Sequence, residues 1–125
     1  MARILIAEDE EVLCMLCARA LATEGHEVRT AGDGGEALEL LTREGGCFDL
    51  LLTDIRMPIM DGIALALTAA RDFPDLTILL MTGYADQRER AHGLDAIIHD
   101  VIAKPFSVAA LRATVNEALT VRARN

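Results

Sequence analysis

Short apolar runs alternate along the chain with segments whose apolar residues recur at helical spacing. Ile4 to Ala7 is apolar throughout, and Glu8 to Glu24 then follows a helical pattern that stops before Gly25. A strand that is apolar at every position, rather than at every second one, is typical of a parallel sheet buried on both faces. The predicted strands are 4–7, 28–31, 50–53, 76–81 and 101–103, and the predicted helices are 8–24, 34–43, 62–72, 86–94 and 107–121. Five strand–helix units in succession predict a doubly wound (βα)5 fold of the α/β class, a three-layer sandwich around a five-stranded parallel sheet.

Length and charge narrow the possible functions. The 125 residues suit one domain, which we expect over 1–121 with a short tail at 122–125. Twelve basic against 20 acidic side chains give a formal net charge of −8, which argues against nucleic acid as the main partner because phosphate binding requires a basic surface. No apolar run reaches the roughly 20 residues that span a bilayer, and the first residues do not form a signal peptide. Three cysteines do not suggest a disulfide framework, so we expect a cytoplasmic protein that does not contact the membrane.

The residues that end the predicted strands carry the candidate chemistry. In an open parallel sheet, binding sites form outside the carboxyl ends of the strands. The first strand leads into Glu8 and Asp9, the third into Asp54, the fourth into Thr82, and the fifth into Lys104, which is the only lysine of the chain. We therefore expect three carboxylates, a hydroxyl group and an ammonium group at one edge of the sheet.

This combination of groups is suited to phosphoryl transfer. Crowded carboxylates repel one another unless they are protonated or bind a cation, and a few hard oxygen ligands suit Mg²⁺. Aspartate can accept a phosphoryl group, and a lysine and a hydroxyl group can stabilise its oxygens. Alternatively, acids that follow a strand stabilise the N-terminus of a helix. That alternative accounts for Glu10 and Glu11 but poorly for Glu8, Asp54 and Lys104 together.

Four segments together resemble the receiver domains of two-component response regulators, the CheY-like superfamily. They are Glu8-Asp9, Asp54 to Gly62, Thr82-Gly83 and Lys104-Pro105-Phe106. The match covers essentially the whole chain in the order and spacing of the family. It implies a flavodoxin-like sheet with the strand order 2-1-3-4-5.

The resemblance also implies a role for each site residue. Asp54 would accept a phosphoryl group from a phosphohistidine. Mg²⁺ would be bound by Asp9, Asp54 and the backbone carbonyl of Arg56, with Glu8 assisting through water. Thr82 and Lys104 would contact the phosphoryl oxygens, and the peptide bond between Lys104 and Pro105 would be cis.

One departure from the family concerns the aromatic switch. Many receivers carry an aromatic residue three positions before the lysine, where this chain has Val101. Tyr84, two positions after Thr82, either takes part in gating and signalling or only covers apolar surface of a loop.

The first predicted helix carries two further features. Cys14 and Cys17 are predicted to be structural thiols, because four acids precede them and Cys17 shares a helical face with residues expected in the core, namely Leu13, Leu16 and Ala20. The opposite face carries an apolar stripe of Met15, Ala18 and Ala22. In receivers this helix commonly meets the histidine-bearing helices of a partner, so the stripe is either a docking surface or a harmless apolar patch.

The first functional hypothesis is a stand-alone phosphoacceptor that signals through protein contacts and assists its own phosphorylation and dephosphorylation without being an enzyme. The opening segment and the segment 50–58 resemble the CpdR-type regulators of alphaproteobacteria. That finer resemblance implies a histidine kinase or histidine phosphotransferase as donor. It also implies an adaptor role for the ClpXP protease in the cell cycle, with its ClpX unfoldase as target. A phosphate sink, a relay intermediate or a chemotaxis-type regulator remain alternatives within this class.

Two other classes compete with a receiver. A Mg²⁺-dependent phosphatase of related architecture would place its nucleophile at the end of the first strand, where this chain has Glu8-Asp9. A flavodoxin-like cofactor binder would need a phosphate-binding loop there, and the acidic segment 8–11 has the wrong charge for one.

Overall fold

A computed structural model of the chain describes residues 1–44, 47–83, 91 and 93–124. The strands in these residues are β1 (Arg3–Ala7), β2 (Glu27–Ala31), β3 (Leu50–Asp54), β4 (Thr77–Thr82) and β5 (Asp100–Ala103). The helices are α1 (Glu11–Ala22), α2 (Gly34–Arg43), α3 (Gly62–Asp72) and α4 (Val108–Arg124). All neighbouring strands are parallel, and the sheet order β2-β1-β3-β4-β5 confirms the predicted doubly wound α/β fold.

Two apolar cores lie on opposite faces of the sheet, because successive side chains of a strand point to opposite sides. One core joins Leu5 and Leu51 of the central strands to α2 and α3. The other joins Ile4 and Leu52 to α1 and α4. The central strands are therefore apolar throughout, as a three-layer arrangement requires.

The two edge strands differ from the prediction of burial on both faces. In β2, Glu27, Arg29 and Thr30 are exposed, because β2 pairs only with β1. At the other edge, β5 is only partly buried. Charged side chains on an edge strand discourage pairing with a further strand.

Helix α1 begins later than the sequence pattern predicts. The Glu8 backbone N–H still donates to the Ala31 carbonyl at 3.0 Å, so residue 8 continues the pairing with β2. Glu10 has an extended backbone, and the helix starts at Glu11. The late start leaves Glu8 and Asp9 in the connection at the carboxyl end of β1.

The last helix starts as predicted and extends further than predicted. The Ser107 hydroxyl oxygen accepts a hydrogen bond from the Ala110 N–H at 3.0 Å, as an N-cap does. The helix continues to Arg124 instead of ending near Val121. The predicted helix over 86–94 falls largely outside the described residues. Within the described ranges, no helix combines the length and the apolar content needed to cross a membrane.

Candidate phosphoacceptor and metal site

Side chains from three strand ends meet at the carboxyl-end edge of the sheet. Glu8 and Asp9 follow β1, and Asp54 is the last residue of β3. One carboxylate oxygen from each of these residues lies within 4.8 Å of the others. Lys104 follows β5, and its Nζ lies 2.7 Å from Glu8 Oε1 and 2.9 Å from Asp54 Oδ2. The structure thus brings together four of the predicted site side chains.

Backbone contacts on both sides hold Asp54 in place. The Ile55 N–H donates to the Met81 carbonyl at 3.2 Å, and the Gly62 N–H donates to the Ile55 carbonyl at 2.7 Å. A Cβ atom at Gly62 would overlap the Asp54 carbonyl oxygen, so glycine allows α3 to begin this close to β3. Asp61 caps α3 by accepting a hydrogen bond from the Ala64 N–H at 2.9 Å. Asp54 therefore lies on backbone that is supported by β4 and by α3.

Burial and charge shape the protonation of this site. Glu8 is 2% exposed and Asp54 is 6% exposed. Burial raises the pKa of Glu8 to about 7, and the neighbouring Asp54 adds to the rise while Lys104 opposes it. Burial would lower the pKa of Lys104, but its hydrogen bonds to Glu8 and Asp54 raise that pKa above its ordinary value. Lys104 therefore remains charged and is shared between two buried carboxyl groups.

The donor set fits a hard divalent cation. Carboxylate oxygens from Glu8, Asp9 and Asp54 are close enough together to surround one ion. Arg56 lies in the wall of the same cleft, which has a volume of about 910 Å³. Mg²⁺ prefers a few carboxylates together with waters and phosphate oxygens, and an open acidic cleft provides that arrangement.

Thr82 lies at the end of β4, directly after Met81, which is the register partner of Asp54. It is buried, and its carbonyl oxygen accepts a hydrogen bond from the Lys104 N–H at 2.7 Å. The peptide bond between Lys104 and Pro105 is cis, as the resemblance implies.

The predicted switch residue Tyr84 lies outside the described residues, so its role stays a prediction. Val101, which stands where many receivers have an aromatic residue, is half-buried and packs against the core beneath α2 and α3.

The two cysteines of α1 lie in the core and not in a reactive position. Cys14 and Cys17 are both buried. Burial raises the pKa of both thiols, and that of Cys17 reaches about 11. A buried thiol that resists deprotonation is a poor nucleophile, in line with the structural role predicted for this pair.

The outward face of α1 differs from the prediction at two positions. Met15 is 61% exposed and Ala22 is exposed, as expected. Ala18 is half-buried and packs against the core beneath α1, so its predicted place in the outward stripe is wrong. Leu16, predicted in the core, is 53% exposed. The buried side follows a spacing of three and four residues, through Cys14, Cys17 and Leu21.

Two exposed apolar residues of α1 border the acidic cleft itself. Val12, which is 67% exposed, and Leu16 line the cleft together with Asp54. We call Val12, Met15 and Leu16 the α1 face. A helical wheel centred on Cys14, Cys17 and Leu21 would have identified this face from the sequence.

Comparison with known proteins assigns a family to these features. The family model described as "Response regulator receiver domain" matches residues 4–116. A response regulator receiver protein, CpdR from Brucella abortus, is 41% identical over 117 residues, which cover 94% of this chain and 93% of that protein. The sensor kinase CckA from Brucella abortus is 38% identical over 119 residues, but the chain spans only 12% of its length. The chain spans 41% of the length of the transcriptional regulatory protein TcrA from Mycobacterium tuberculosis, at 35% identity.

Solved structures show the same fold. A CheY-like response regulator receiver domain protein from Methanospirillum hungatei has a TM-score of 0.90 at 31% identity, covering 99% of this chain and 98% of that chain. The response regulator TrrA from Thermotoga maritima, solved in complex with Mg²⁺ and BeF, has a TM-score of 0.82 at 30% identity. That match covers 94% of this chain and 99% of the TrrA chain.

Proposed function

Because the chain belongs to the response regulator receiver domain family, we propose that it accepts a phosphoryl group on Asp54 from a phosphohistidine. The observation that carries the proposal is the buried Asp54 carboxylate, which lies beside Glu8 and Asp9 and 2.9 Å from Lys104 Nζ. The phosphorus–nitrogen bond of the donor breaks as a bond forms between phosphorus and a carboxylate oxygen of Asp54. The histidine nitrogen keeps the electron pair and takes up a proton. The donor is a histidine kinase or a histidine phosphotransferase.

Asp9, Asp54 and the backbone carbonyl of Arg56 would bind Mg²⁺, with Glu8 assisting through water. When bound, Mg²⁺ supplies positive charge that offsets the carboxylates and the oxygens of the transferred group. The chemistry of the acidic cluster supports this assignment. The related protein TrrA was solved in complex with Mg²⁺ and BeF.

Thr82 and Lys104 would sense the transferred group. The Lys104 ammonium is already at the acceptor carboxylate, so it can donate to a phosphoryl oxygen with little rearrangement. Thr82 ends the neighbouring strand, and its hydroxyl group can donate a hydrogen bond to an oxygen of the same phosphoryl group. A new contact there biases two states of the surface that follows β4.

The decisive experiment is the intact mass of the protein after incubation with Mg²⁺ and acetyl phosphate. We expect the unmutated protein to gain the mass of one phosphoryl group and the Asp54→Ala variant to gain none. Asp49→Ala is the matched control, since Asp49 precedes the same strand at its opposite end. An equal gain in the protein and its Asp54→Ala variant, or no gain in either, would exclude Asp54 as the acceptor.

The α1 face would dock the histidine-bearing helix of the donor. Val12 and Leu16 line the cleft that contains Asp54, so a helix seated on them presents its side chains to the acceptor. Burial of large exposed apolar side chains favours such contacts by about 25 cal/mol per Å² of apolar area.

The docking role can be separated from the chemistry by comparing two donors. Leu16→Glu is expected to slow transfer from a phosphorylated histidine phosphotransferase by about tenfold or more and to leave phosphorylation by acetyl phosphate unchanged. Leu67→Glu is the matched control, because Leu67 is a similarly exposed leucine on α3, on the other face of the sheet. Equal transfer rates in the two variants would exclude the α1 face as the docking surface.

The finer proposal is a CpdR-type adaptor role for the ClpXP protease. It is favoured by 41% identity to CpdR over nearly the full length of both proteins. We expect the unphosphorylated protein to bind the ClpX unfoldase, and acetyl phosphate with Mg²⁺ to weaken that binding. Asp54→Ala should bind ClpX with or without acetyl phosphate. Absence of ClpX binding in the unphosphorylated protein would exclude the adaptor role and leave the phosphoacceptor function standing.

A further inference from the structure

The segment that joins β3 to α3 contains a strained turn at Ile59. Its φ angle is 71°, which is rare for a β-branched residue because the side chain crowds the backbone. The Met60 N–H donates to the Pro58 carbonyl at 2.8 Å, so the three residues form a γ-turn of the strained, positive-φ kind. The Ile59 side chain is 86% exposed and thus gains little from packing within the chain. Such a conformation persists only where its surroundings hold it.

The first turn of α2 is the structure that holds this segment. Gly34 is buried, and a Cβ atom there would overlap the carbonyl oxygen of Met60 and crowd its Cβ atom. A Cβ atom on Gly35 would come within 3.2 Å of Ile59 Cγ2. The two glycines therefore form a seat for the turn. Any side chain at position 34 would occupy the space that the Met60 carbonyl fills.

Side-chain hydrogen bonds stabilise the start of α2, which contains both glycines. Asp33 caps α2 by accepting a hydrogen bond from the Glu36 N–H at 2.7 Å. The Glu36 carboxylate accepts in turn from the Gly32 N–H at 3.1 Å. These two bonds stabilise the helix start against which the Met60 carbonyl lies.

The contact between Gly34 and Met60 affects the acceptor site because both Met60 and Arg56 lie in the short segment between β3 and α3. The Gly62 N–H bonds the Ile55 carbonyl at 2.7 Å and closes the segment. Arg56, at the wall of the acidic cleft, lies in the same segment, and only residues 57–59 separate it from Met60. A shift at Met60 would therefore pass along the segment to the backbone of Arg56.

We propose that Gly34 is a positioning residue for the acceptor site, since its contact with Met60 sets the backbone that presents the Arg56 carbonyl to the metal. The inference rests on the proposed Mg²⁺ site. Displacements of about 0.5 Å are enough to weaken a site of this kind. An added methyl group at Gly34 must push the Met60 carbonyl away, because the opposing atoms are backbone and not the end of a flexible side chain.

The test is the Mg²⁺ affinity of the full chain, measured by calorimetry, in a graded series of glycine-to-alanine variants. Gly32→Ala is the control, because its Cβ atom would meet only the flexible Glu36 carboxylate, at 3.7 Å. We expect Gly32→Ala to bind within about twofold of the unmutated protein, Gly35→Ala to bind about twofold to threefold more weakly, and Gly34→Ala to bind about fivefold or more weakly. Far-UV circular dichroism and thermal unfolding establish that each variant is folded at the temperature of the titration.

The outcomes separate a positioning role from a structural one. A folded Gly34→Ala variant that binds Mg²⁺ within about twofold of the unmutated protein overturns the inference, even if it unfolds at a lower temperature. If Gly34→Ala does not fold, weaker binding by Gly35→Ala than by Gly32→Ala supports the inference and equal binding overturns it. Failure of the unmutated protein to bind Mg²⁺ overturns both this inference and the proposed metal site, whereas normal binding by every variant overturns the inference alone.

Discussion

Strand β3 has an aspartate at each end, and the two aspartates have opposite surroundings. Asp49, just before the strand, is half-buried and accepts a hydrogen bond from the Arg3 N–H at 2.8 Å. Nearby acids at this end are paired with exposed or half-buried arginines, for example Glu27 with Arg3 at 3.0 Å. Asp54, at the other end, is buried beside Glu8 and shares the ammonium of Lys104 with it.

The charges at the two ends of β3 contribute differently to the stability of the fold. Ion pairs near the surface change the free energy of unfolding little, so the charges at the amino end of β3 have little effect on stability. Two buried carboxyl groups that share one ammonium oppose folding, because each loses hydration and repels the other. Buried ionisable groups with shifted pKa values cluster at functional sites, so this arrangement indicates a binding role rather than a stabilising one.

The largest expected effect comes from Lys104→Arg. Its Nζ fits between Glu8 and Asp54 as a compact charge, at 2.7 and 2.9 Å, whereas arginine presents a broad planar group. We expect the variant to keep the charge and the fold and to lose the response to phosphorylation. The measurement is hydrogen exchange in β4 with and without acetyl phosphate and Mg²⁺.

Arg71→Lys is the control for this substitution, since Arg71 is well exposed and pairs with Asp72 outside the cleft. It should respond like the unmutated protein. A normal change in exchange in the Lys104→Arg variant would show that the position needs only a positive charge.

The second prediction compares the same substitution at the two ends of β3. Asp54→Asn removes one of the two carboxylates that compete for Lys104, so we expect the free energy of unfolding to rise by about 1 kcal/mol in the absence of Mg²⁺. Asp49→Asn weakens a charge-assisted hydrogen bond to the Arg3 N–H and should lower it by about 0.5–1 kcal/mol. Urea denaturation of both variants measures the two signs. If both substitutions changed the free energy of unfolding in the same direction, the two aspartates would not differ in their effect on stability.

The carboxyl-end site could be predicted from the sequence because it depends on strand ends. Glu8, Asp54 and Lys104 each lie at the end of a strand or directly after it, and parallel strands bring their carboxyl ends to one edge. Gly34 and Met60 could not be matched in this way. They belong to segments far apart in the chain, and only the packing of α2 against the segment after β3 brings them into contact.

The rotation of α1 was the other point at which the prediction differed from the structure. Helical spacing around Cys17 grouped Leu16 with the core residues and Ala18 with the outward face, because the buried face was not centred on Cys14, Cys17 and Leu21. The structure buries Ala18 in part and exposes Leu16, since Cys14, Cys17 and Leu21 turn the helix toward the sheet. The smaller residue lies where α1 approaches its neighbours, and the larger one borders the acidic cleft.

The smallest predicted effect concerns the pH dependence of stability. Burial, then the neighbouring Cys14 and Glu8, raise the pKa of Cys17 from 9.0 to about 11 in the folded protein. Above pH 9 the unfolded chain loses the Cys17 proton before the folded chain does, so this contribution to stability is full below about pH 9 and is lost as the pH rises toward 11. We expect the free energy of unfolding to fall between about pH 8 and pH 10 by about 1 kcal/mol more in the unmutated protein than in Cys17→Ala.

Cys47→Ala is the matched control, because Cys47 is exposed and precedes β3 at its amino end. Its stability should fall with pH as that of the unmutated protein does, because this substitution leaves the buried Cys17 in place. Denaturant titrations at several pH values compare the three proteins. If Cys17→Ala and Cys47→Ala lose stability in parallel between pH 8 and pH 10, the buried Cys17 thiol is not what makes the fold sensitive to alkali. If only the Cys17→Ala curve is flattened, burial of the Cys17 thiol accounts for the loss of stability at alkaline pH. Burial would then affect the thiol of α1 as it affects the carboxyl groups at the end of β3.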